Sequence, residues 1–121
     1  PVLPTGLTPD GVNVLQSARR FGARVDVVNV MAMDYGDSAA PNPAGRMGDY
    51  AIQAGESLFA QLTAVYGDVT TAARRWAMVG VTGRSGLNDV ITETFDQQEA
   101  RELLAWADAK GVGLLSMWSL N

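Results

Sequence analysis

The sequence predicts an α/β fold in which buried parallel strands alternate with helices. Three nearly continuous apolar runs indicate this class: residues 27–36, 76–82 and 111–120. Each run follows a polar stretch with helical character, as expected when helices connect strands that are buried on both faces. Asp34 and Tyr35 stand at the carboxyl end of the first run and Trp118 near the end of the third. Parallel α/β folds place their functional residues at such strand ends.

Local signals give the expected limits of the first two helices. Thr8 suits an N-cap, Pro9 suits the first helical position, and Gly22 is a natural stop for the first helix. The second helix is expected over about Met47 to Tyr66. Its buried side is marked by apolar residues at helical spacing, namely Tyr50, Ala54, Leu58, Leu62 and Val65.

The third helix has a start signal of its own. Asp96 and Glu99 have the spacing of an N-cap with its N3 partner, and Gly111 is expected to end the helix. Trp106 lies off the apolar stripe, and we expect it to face a neighbouring helix. The residues expected to face inward are Ala100, Leu103, Leu104 and Ala107.

The connections between these elements indicate a barrel. Strands are expected over about Val25–Asp34, Trp76–Thr82 and 111–120, preceded by the end of another strand at Pro1–Leu3. Connections that enter strands are mostly short, whereas those that leave them are long, as in a (β/α)8 barrel. We therefore predict one partial-barrel domain over residues 1–121, with parallel strands alternating with helices. Trp76, at the start of its strand, is interpreted as structural.

Composition excludes several classes of function. The chain of 121 residues has no cysteine and no histidine, which removes thiol catalysis, Ser-His-Asp chemistry and ordinary zinc sites. Its net charge of −4 and lack of a basic cluster argue against nucleic acid, and no apolar run is long enough to span a bilayer. Because histidine is absent, acid–base chemistry falls to carboxylates, tyrosine or Lys110. We expect no metal and no cofactor.

Alternation along the first strand assigns its side chains to two faces. One side is expected to carry Asn29, Met31, Met33 and Tyr35, and the other Val28, Val30, Ala32 and Asp34. Two interpretations of the strand ends stay open at this point. Asp34 and Tyr35 could form a site, or Asp34 could cap the next loop while Tyr35 packs at the rim. Trp118 could stack on a sugar ring or fill the core.

Several strings resemble one family of enzymes in the same order along nearly the whole chain. Residues 28–36 resemble the sixth-strand motif of bacterial chitinases of glycoside hydrolase family 18, and residues 42–54 resemble the following helix. Residues 79–82, with Asn88-Asp89-Val90 after them, resemble the seventh strand and its loop. Residues 114–121 resemble the eighth strand.

The resemblance implies a fold, a reaction and a location. These enzymes are secreted (β/α)8 barrels that cleave β-1,4-linked N-acetylglucosamine polymers with retention, using the acetamide of the substrate as nucleophile. Their general acid is a glutamate that closes an Asp-x-x-Asp-x-Asp-x-Glu motif on the fourth strand, which this sequence lacks. We expect the chain to be the carboxyl-terminal half-barrel, from the end of strand five to strand eight, with the acid upstream of Pro1.

The family pattern also implies roles for individual residues. Asp34 and Tyr35 match the cluster that orients the acetamide and are the expected catalytic residues. Met33 occupies the place of the tyrosine in the commoner Met-x-Tyr-Asp version. Trp118 matches the tryptophan that lies under the sugar at the cleavage site, and Asn88 belongs to the seventh-strand loop. The residues expected to bind substrate are therefore Met33, Trp118 and Asn88.

A half-barrel has open strand edges and an uncovered apolar face. The expected partners are therefore chitin or a chitooligosaccharide, together with either a second copy in a homodimer or a missing amino-terminal half-barrel. Two alternatives to a chitinase half-site stay open: a non-catalytic carbohydrate-binding or self-assembling scaffold, and an enzyme whose new activity rests on the carboxylates present here.

Overall fold

Three parallel strands form the centre of the fold. The computed structural model describes residues 2–119. The strands of this sheet lie in the order β3 (Val28–Ala32), β4 (Val79–Arg84) and β7 (Leu114–Trp118), and Val30, Val81 and Leu115 lie side by side in register. Pro1, Leu120 and Asn121, which we expected at strand ends, lie outside the described residues. The sheet confirms the predicted α/β class with parallel strands.

Four helices and two short antiparallel pairs complete the described part of the chain. The helices are α1 (Pro9–Arg20), α2 (Met47–Tyr66), α3 (Ala72–Met78) and α4 (Gln97–Lys110). Strand β1 (Val2–Leu3) pairs with β2 (Gly6–Leu7), and β5 (Gly86–Leu87) pairs with β6 (Thr94–Phe95). None of these four helices is both long and apolar enough to cross a membrane.

The predicted helix limits agree with the structure where local chemistry sets them. Thr8 caps α1 by accepting a hydrogen bond from the backbone of Gly11. Helix α2 covers the predicted residues 47–66. At the start of α4 the capping box is complete, because Asp96 accepts from the Glu99 backbone at 2.9 Å and Glu99 accepts from the Asp96 backbone at 2.8 Å. Each cap satisfies donors that the first helical turn leaves unpaired.

The second strand of the parallel sheet begins three residues later than the sequence predicts. Trp76 lies on α3 rather than in a strand, and β4 starts at Val79. Thr71 caps α3 by accepting from the Arg74 backbone at 3.1 Å. The Trp76 ring stacks on Phe59 of α2 with centroids 4.0 Å apart. The apolar run therefore joins the last turn of a helix to a strand, and this boundary depends on a contact that is distant in sequence.

Helix α4 packs on α2 through Trp106, as expected for its place off the apolar stripe. Its indole nitrogen donates to Glu56 at 2.9 Å. A Cβ atom at Gly55 would lie 2.4 Å from the Trp106 ring, so the two helices approach closely there. Leu104 was expected to face inward, but its side chain is 51% exposed. The residues of α4 that are buried are instead Glu99, Leu103 and Ala107.

The helices cover only one face of the sheet. Val30, Val79 and Val81 are fully buried against the apolar side of α2, where Leu58 and Leu62 are also fully buried. On the other face, which we call the inner face, the side chains are exposed and belong to Asn29, Met31, Leu114, Ser116 and Trp118. Alternation along each strand produces this division.

Gly113 leads into β7 and lies against the backbone of α3. A Cβ atom there would fall 1.8 Å from the carbonyl oxygen of Ala77. Because that backbone cannot shift without loosening the pairing of β4 and β7, we expect Gly113→Ala to lower the free energy of unfolding by about 3 kcal/mol. The matched control is Gly83→Ala, whose Cβ meets the Phe95 ring at 3.2 Å and should cost about 1 kcal/mol.

Urea denaturation of both variants measures this difference. A Gly113→Ala variant that is as stable as Gly83→Ala would contradict the assignment of this close backbone contact.

Candidate functional site

A row of polar side chains crosses the inner face. The Asn29 amide nitrogen donates to the Thr82 hydroxyl at 2.7 Å, and that hydroxyl shares a short hydrogen bond with the hydroxyl of Ser116. The three residues lie on β3, β4 and β7. The polar groups of the inner face therefore satisfy one another across all three strands.

Asp34 lies at the carboxyl rim of the sheet, just beyond β3. Its φ of +53° is left-handed, a conformation that aspartate adopts more readily than most residues. One carboxylate oxygen accepts a hydrogen bond from the backbone nitrogen of Val90 at 2.9 Å. The other lies 3.9 Å from a guanidinium nitrogen of Arg84. The carboxylate is thus held on one side, while its second oxygen faces a cation beyond hydrogen-bonding distance.

Arg84 ends β4 and was not identified as a site residue from the sequence. Its guanidinium lies 2.7 Å from Asp89, and in register it stands beside Trp118 on β7. From the sequence, residues 82–86 depart from the family pattern, in which proline and apolar residues are commoner at this place, and no role was predicted for the arginine. Two signals could have found it: Arg84 occupies a strand end and alternates with Thr82 onto the inner face.

Trp118 ends β7 with its indole 58% exposed. Its carbonyl oxygen accepts a hydrogen bond from the backbone of Ser85 at 3.1 Å, which ties the strand end to the loop after β4. The peptide bond between Trp118 and Ser119 is cis. Asp34 and Trp118 therefore lie on either side of Arg84 at one rim. An exposed flat ring, a carboxylate and a guanidinium together can bind a polar molecule that has an apolar face.

Met33 and Tyr35 flank Asp34 in sequence but occupy different surroundings. Met33 is partly exposed directly after β3. Tyr35 is buried, with its ring 6.3 Å from that of Tyr50 on α2 in an edge-on arrangement. Strict alternation placed Tyr35 on the side of Met33. The left-handed turn at Asp34 interrupts that alternation, so Tyr35 packs into the core behind the rim.

Asn88 is buried and contacts a residue that sequence reasoning missed. Its side-chain nitrogen donates to Glu93 at 3.1 Å, and Glu93 is fully buried. Glu93 also accepts from the backbone nitrogen of Gly36 at 2.8 Å. Glu93 stands between two threonines in a loop, and no sequence pattern marks it. The structure therefore places Asn88 behind the rim, apart from the exposed Trp118.

Acidic side chains at the rim do not combine into a metal centre. Among residues 2–119, no group of three or more histidine, cysteine, aspartate or glutamate side chains could hold a metal ion. The carboxylate of Asp34 instead contacts a backbone donor and an arginine.

The surroundings of Tyr35 make the stability of the fold depend on pH. Burial, and secondarily the nearby charge of Glu93, raise the pKa of the Tyr35 hydroxyl above its usual range. The unfolded chain loses this proton near pH 10, before the folded chain does. The stabilisation is therefore fully present below about pH 10 and is lost as pH rises above that value.

We expect the wild-type chain to lose more unfolding free energy between about pH 8 and pH 11 than Tyr35→Phe does. Near pH 7 Tyr35→Phe should be at least as stable as the wild type, because the buried hydroxyl that it removes has no hydrogen-bond partner among the residues described. Urea denaturation across this pH range makes the comparison. Parallel loss in both proteins would show that Tyr35 is not the group responsible.

Comparison with known proteins identifies relatives of the whole chain. No family model matches it. It is 38% identical over 124 residues to a probable bifunctional chitinase/lysozyme of Escherichia coli K12, and equally to endochitinase 11 of Metarhizium anisopliae. Each match covers 99% of this chain, but only 14% and 24% of these relatives. The chain thus spans less than a quarter of either relative's length.

The fold of the chain is also similar to that of solved chitinase structures. The catalytic domain of a hyperthermophilic chitinase from Pyrococcus furiosus superposes with a TM-score of 0.84 at 31% identity. Catalytic-site mutants of active domain 2 of the thermostable chitinase from the same organism, complexed with chito-oligosaccharides, superpose with a TM-score of 0.85 at the same identity. In both cases 98% of this chain matches 37% of the solved chain. The chain is therefore similar along nearly its whole length to one segment of chitinases, and its fold matches part of a chitinase catalytic domain with parallel strands alternating with helices.

Proposed function

We propose that this chain forms the N-acetylglucosamine-binding side of a chitinase-type active site. The observation that carries the proposal is the placement of Asp34 and Trp118 at one rim, on either side of Arg84. In the complete barrel this side would serve the hydrolysis of β-1,4-linked N-acetylglucosamine. The chito-oligosaccharide complex of the Pyrococcus furiosus relative supports this choice of ligand.

Trp118 would bind the apolar face of the sugar ring. Its exposed indole offers a flat surface at the end of β7. Such a surface buries C–H groups that would otherwise contact water, and the stacking depends little on the sugar's hydroxyl pattern. Stacking therefore supplies affinity, and the polar groups at the rim must supply orientation.

Asp34 would orient the acetamide of the bound sugar. Among residues 2–119 no donor lies within hydrogen-bonding distance of its second carboxylate oxygen, which can accept a hydrogen bond from the acetamide N–H. A carboxylate at this position also stabilises the positive charge that develops when the acetamide attacks the anomeric carbon. In this proposal Tyr35 and Asn88 support the loops behind Asp34, and Met33 borders the sugar.

Hydrolysis would require a general acid from another segment of the barrel. The sequence contains no Asp-x-x-Asp-x-Asp-x-Glu motif, and the acetamide mechanism still needs a proton donor at the leaving oxygen. The edges of the sheet, β3 and β7, are the places where further barrel strands or a second copy of this chain would pair.

We expect chitooligosaccharides to bind the chain with Kd on the order of 1 mM, about −4 kcal/mol. Trp118→Ala and Asp34→Ala should each weaken binding by about fivefold or more, because one removes the stacking surface and the other the acetamide acceptor. Phe21→Ala removes an exposed ring far from the rim and is the matched control. Tyr35→Phe should bind as the wild type does.

Chemical-shift titration with chitotriose measures these affinities. Unchanged binding by Trp118→Ala would reject the site. Loss of binding by Tyr35→Phe would show that the Tyr35 hydroxyl contacts the bound sugar.

The uncovered inner face predicts association. Met31 and Trp118 are more than half exposed there, and burying such apolar surface between copies lowers the free energy. We expect light scattering to show dimers or larger species, and Met31→Glu to shift them towards monomer. Leu104→Glu, on the outer surface of α4, is the control.

A wild-type chain that is folded and strictly monomeric at micromolar concentrations would contradict this expectation.

Because the sequence lacks the motif that carries the general acid, the purified chain should show negligible turnover of a chromogenic chitobioside. Turnover that Asp34→Ala abolishes would instead place a complete catalytic apparatus in this segment.

A further inference from the structure

Glu93 is a fully buried carboxylate without a cationic partner in the described chain. No lysine or arginine nitrogen of residues 2–119 lies within 4.0 Å of it. It accepts hydrogen bonds from Gly36 at 2.8 Å and from Asn88 at 3.1 Å. Burying a carboxylate costs several kcal/mol, which neutral donors offset only in part. A leucine would fill the same space without this cost, but it would make neither of the two hydrogen bonds.

The hydrogen bonds of Glu93 join two loops that are far apart in sequence. Gly36 lies two residues after Asp34, in the loop that leaves β3. Asn88 begins the turn between β5 and β6, and Glu93 ends it. Within that turn the backbone nitrogen of Asn88 donates to the Glu93 carbonyl at 3.0 Å, and the Glu93 nitrogen donates to the Val90 carbonyl at 2.9 Å. The side chain therefore fastens a closed turn to the Asp34 loop.

That turn supplies the backbone donor to Asp34. The Val90 nitrogen donates to one Asp34 oxygen at 2.9 Å, across a sequence separation of 56 residues. The position of the Val90 nitrogen relative to Asp34 depends on how the turn and the Asp34 loop are held together. The Glu93 side chain hydrogen-bonds to Asn88 in the turn and to Gly36 in the Asp34 loop. We propose that Glu93 is a positioning residue: it places the Val90 N–H against one oxygen of Asp34 and so leaves the other oxygen free for an acetamide.

This proposal deepens the proposed function, and its relevance to sugar binding rests on that function. The geometry predicts that bridging, rather than charge, is what matters. Glutamine at position 93 keeps both bridges if the Asn88 side-chain amide rotates by half a turn. The Asn88 side-chain carbonyl oxygen is buried and has no hydrogen-bond partner among residues 2–119, so the rotation breaks no hydrogen bond of that oxygen. Leucine at position 93 fills the same volume and keeps neither bridge.

The test compares Glu93→Leu and Glu93→Gln through the backbone amide signal of Val90. We expect Glu93→Leu to move the Val90 amide proton towards its position in Asp34→Ala, where the acceptor is absent, and Glu93→Gln to stay near the wild type. The amide of Glu99, held by Asp96 in the capping box, reports whether the rest of the fold is intact. In the folded Glu93→Leu protein, chitotriose binding should be weakened by about tenfold.

A Val90 signal unchanged in folded Glu93→Leu would overturn the proposal. If that variant does not fold, hydrogen exchange of the wild type decides: the Gly36 and Val90 amides should open with the same free energy, and different values would overturn the proposal. The Val90 readout needs no sugar. A wild-type chain that binds no chitotriose therefore defeats the proposed function, while the Val90 signal still decides the role of Glu93.

Discussion

Helices cover this sheet on one face only, and the arrangement of the remaining residues follows from that. On the covered face, Val30, Val79 and Val81 are buried against the apolar side of α2. On the inner face, Asn29 and Thr82 belong to a row of polar side chains that are hydrogen-bonded to one another. In the described part of the chain this inner face is an exposed surface, on which Met31 and Trp118 are more than half exposed.

The turn at Asp34 distributes neighbouring residues between these two faces. Its left-handed backbone ends the strand and directs Tyr35 into the core, while the Asp34 carboxylate stays at the rim. Tyr35, Asn88 and Glu93 then form a buried polar layer behind the site. Part of that layer is unsatisfied, since the Tyr35 hydroxyl has no partner in the described chain. Such a layer favours one arrangement of the loops at the expense of stability.

Sequence reasoning succeeded where the decisive interactions are local. The capping box of Asp96 and Glu99 joins neighbours three residues apart, and the extent of α2 follows from its apolar residues at helical spacing. It failed at Trp76, since the choice between helix and strand there depends on stacking against Phe59, 17 residues away. Glu93 could not be recognised at all, because one of its two bridges reaches Gly36, 57 residues distant. Periodicity contains no information about such contacts.

The positive charge of Arg84 partly offsets the negative charges of Asp34 and Asp89 at the rim, which an apolar residue at this position would not do. Asp34 and Asp89 carry two negative charges beside one guanidinium, which bonds closely to Asp89 and lies 3.9 Å from Asp34. At that distance the guanidinium attracts the second oxygen of Asp34 without a hydrogen bond to it. The backbone of Val90 holds the first oxygen, so the free one has a defined direction before any ligand arrives. A carboxylate oriented in this way loses little conformational freedom on binding, and in the proposed function this would favour the hydrogen bond from the acetamide N–H.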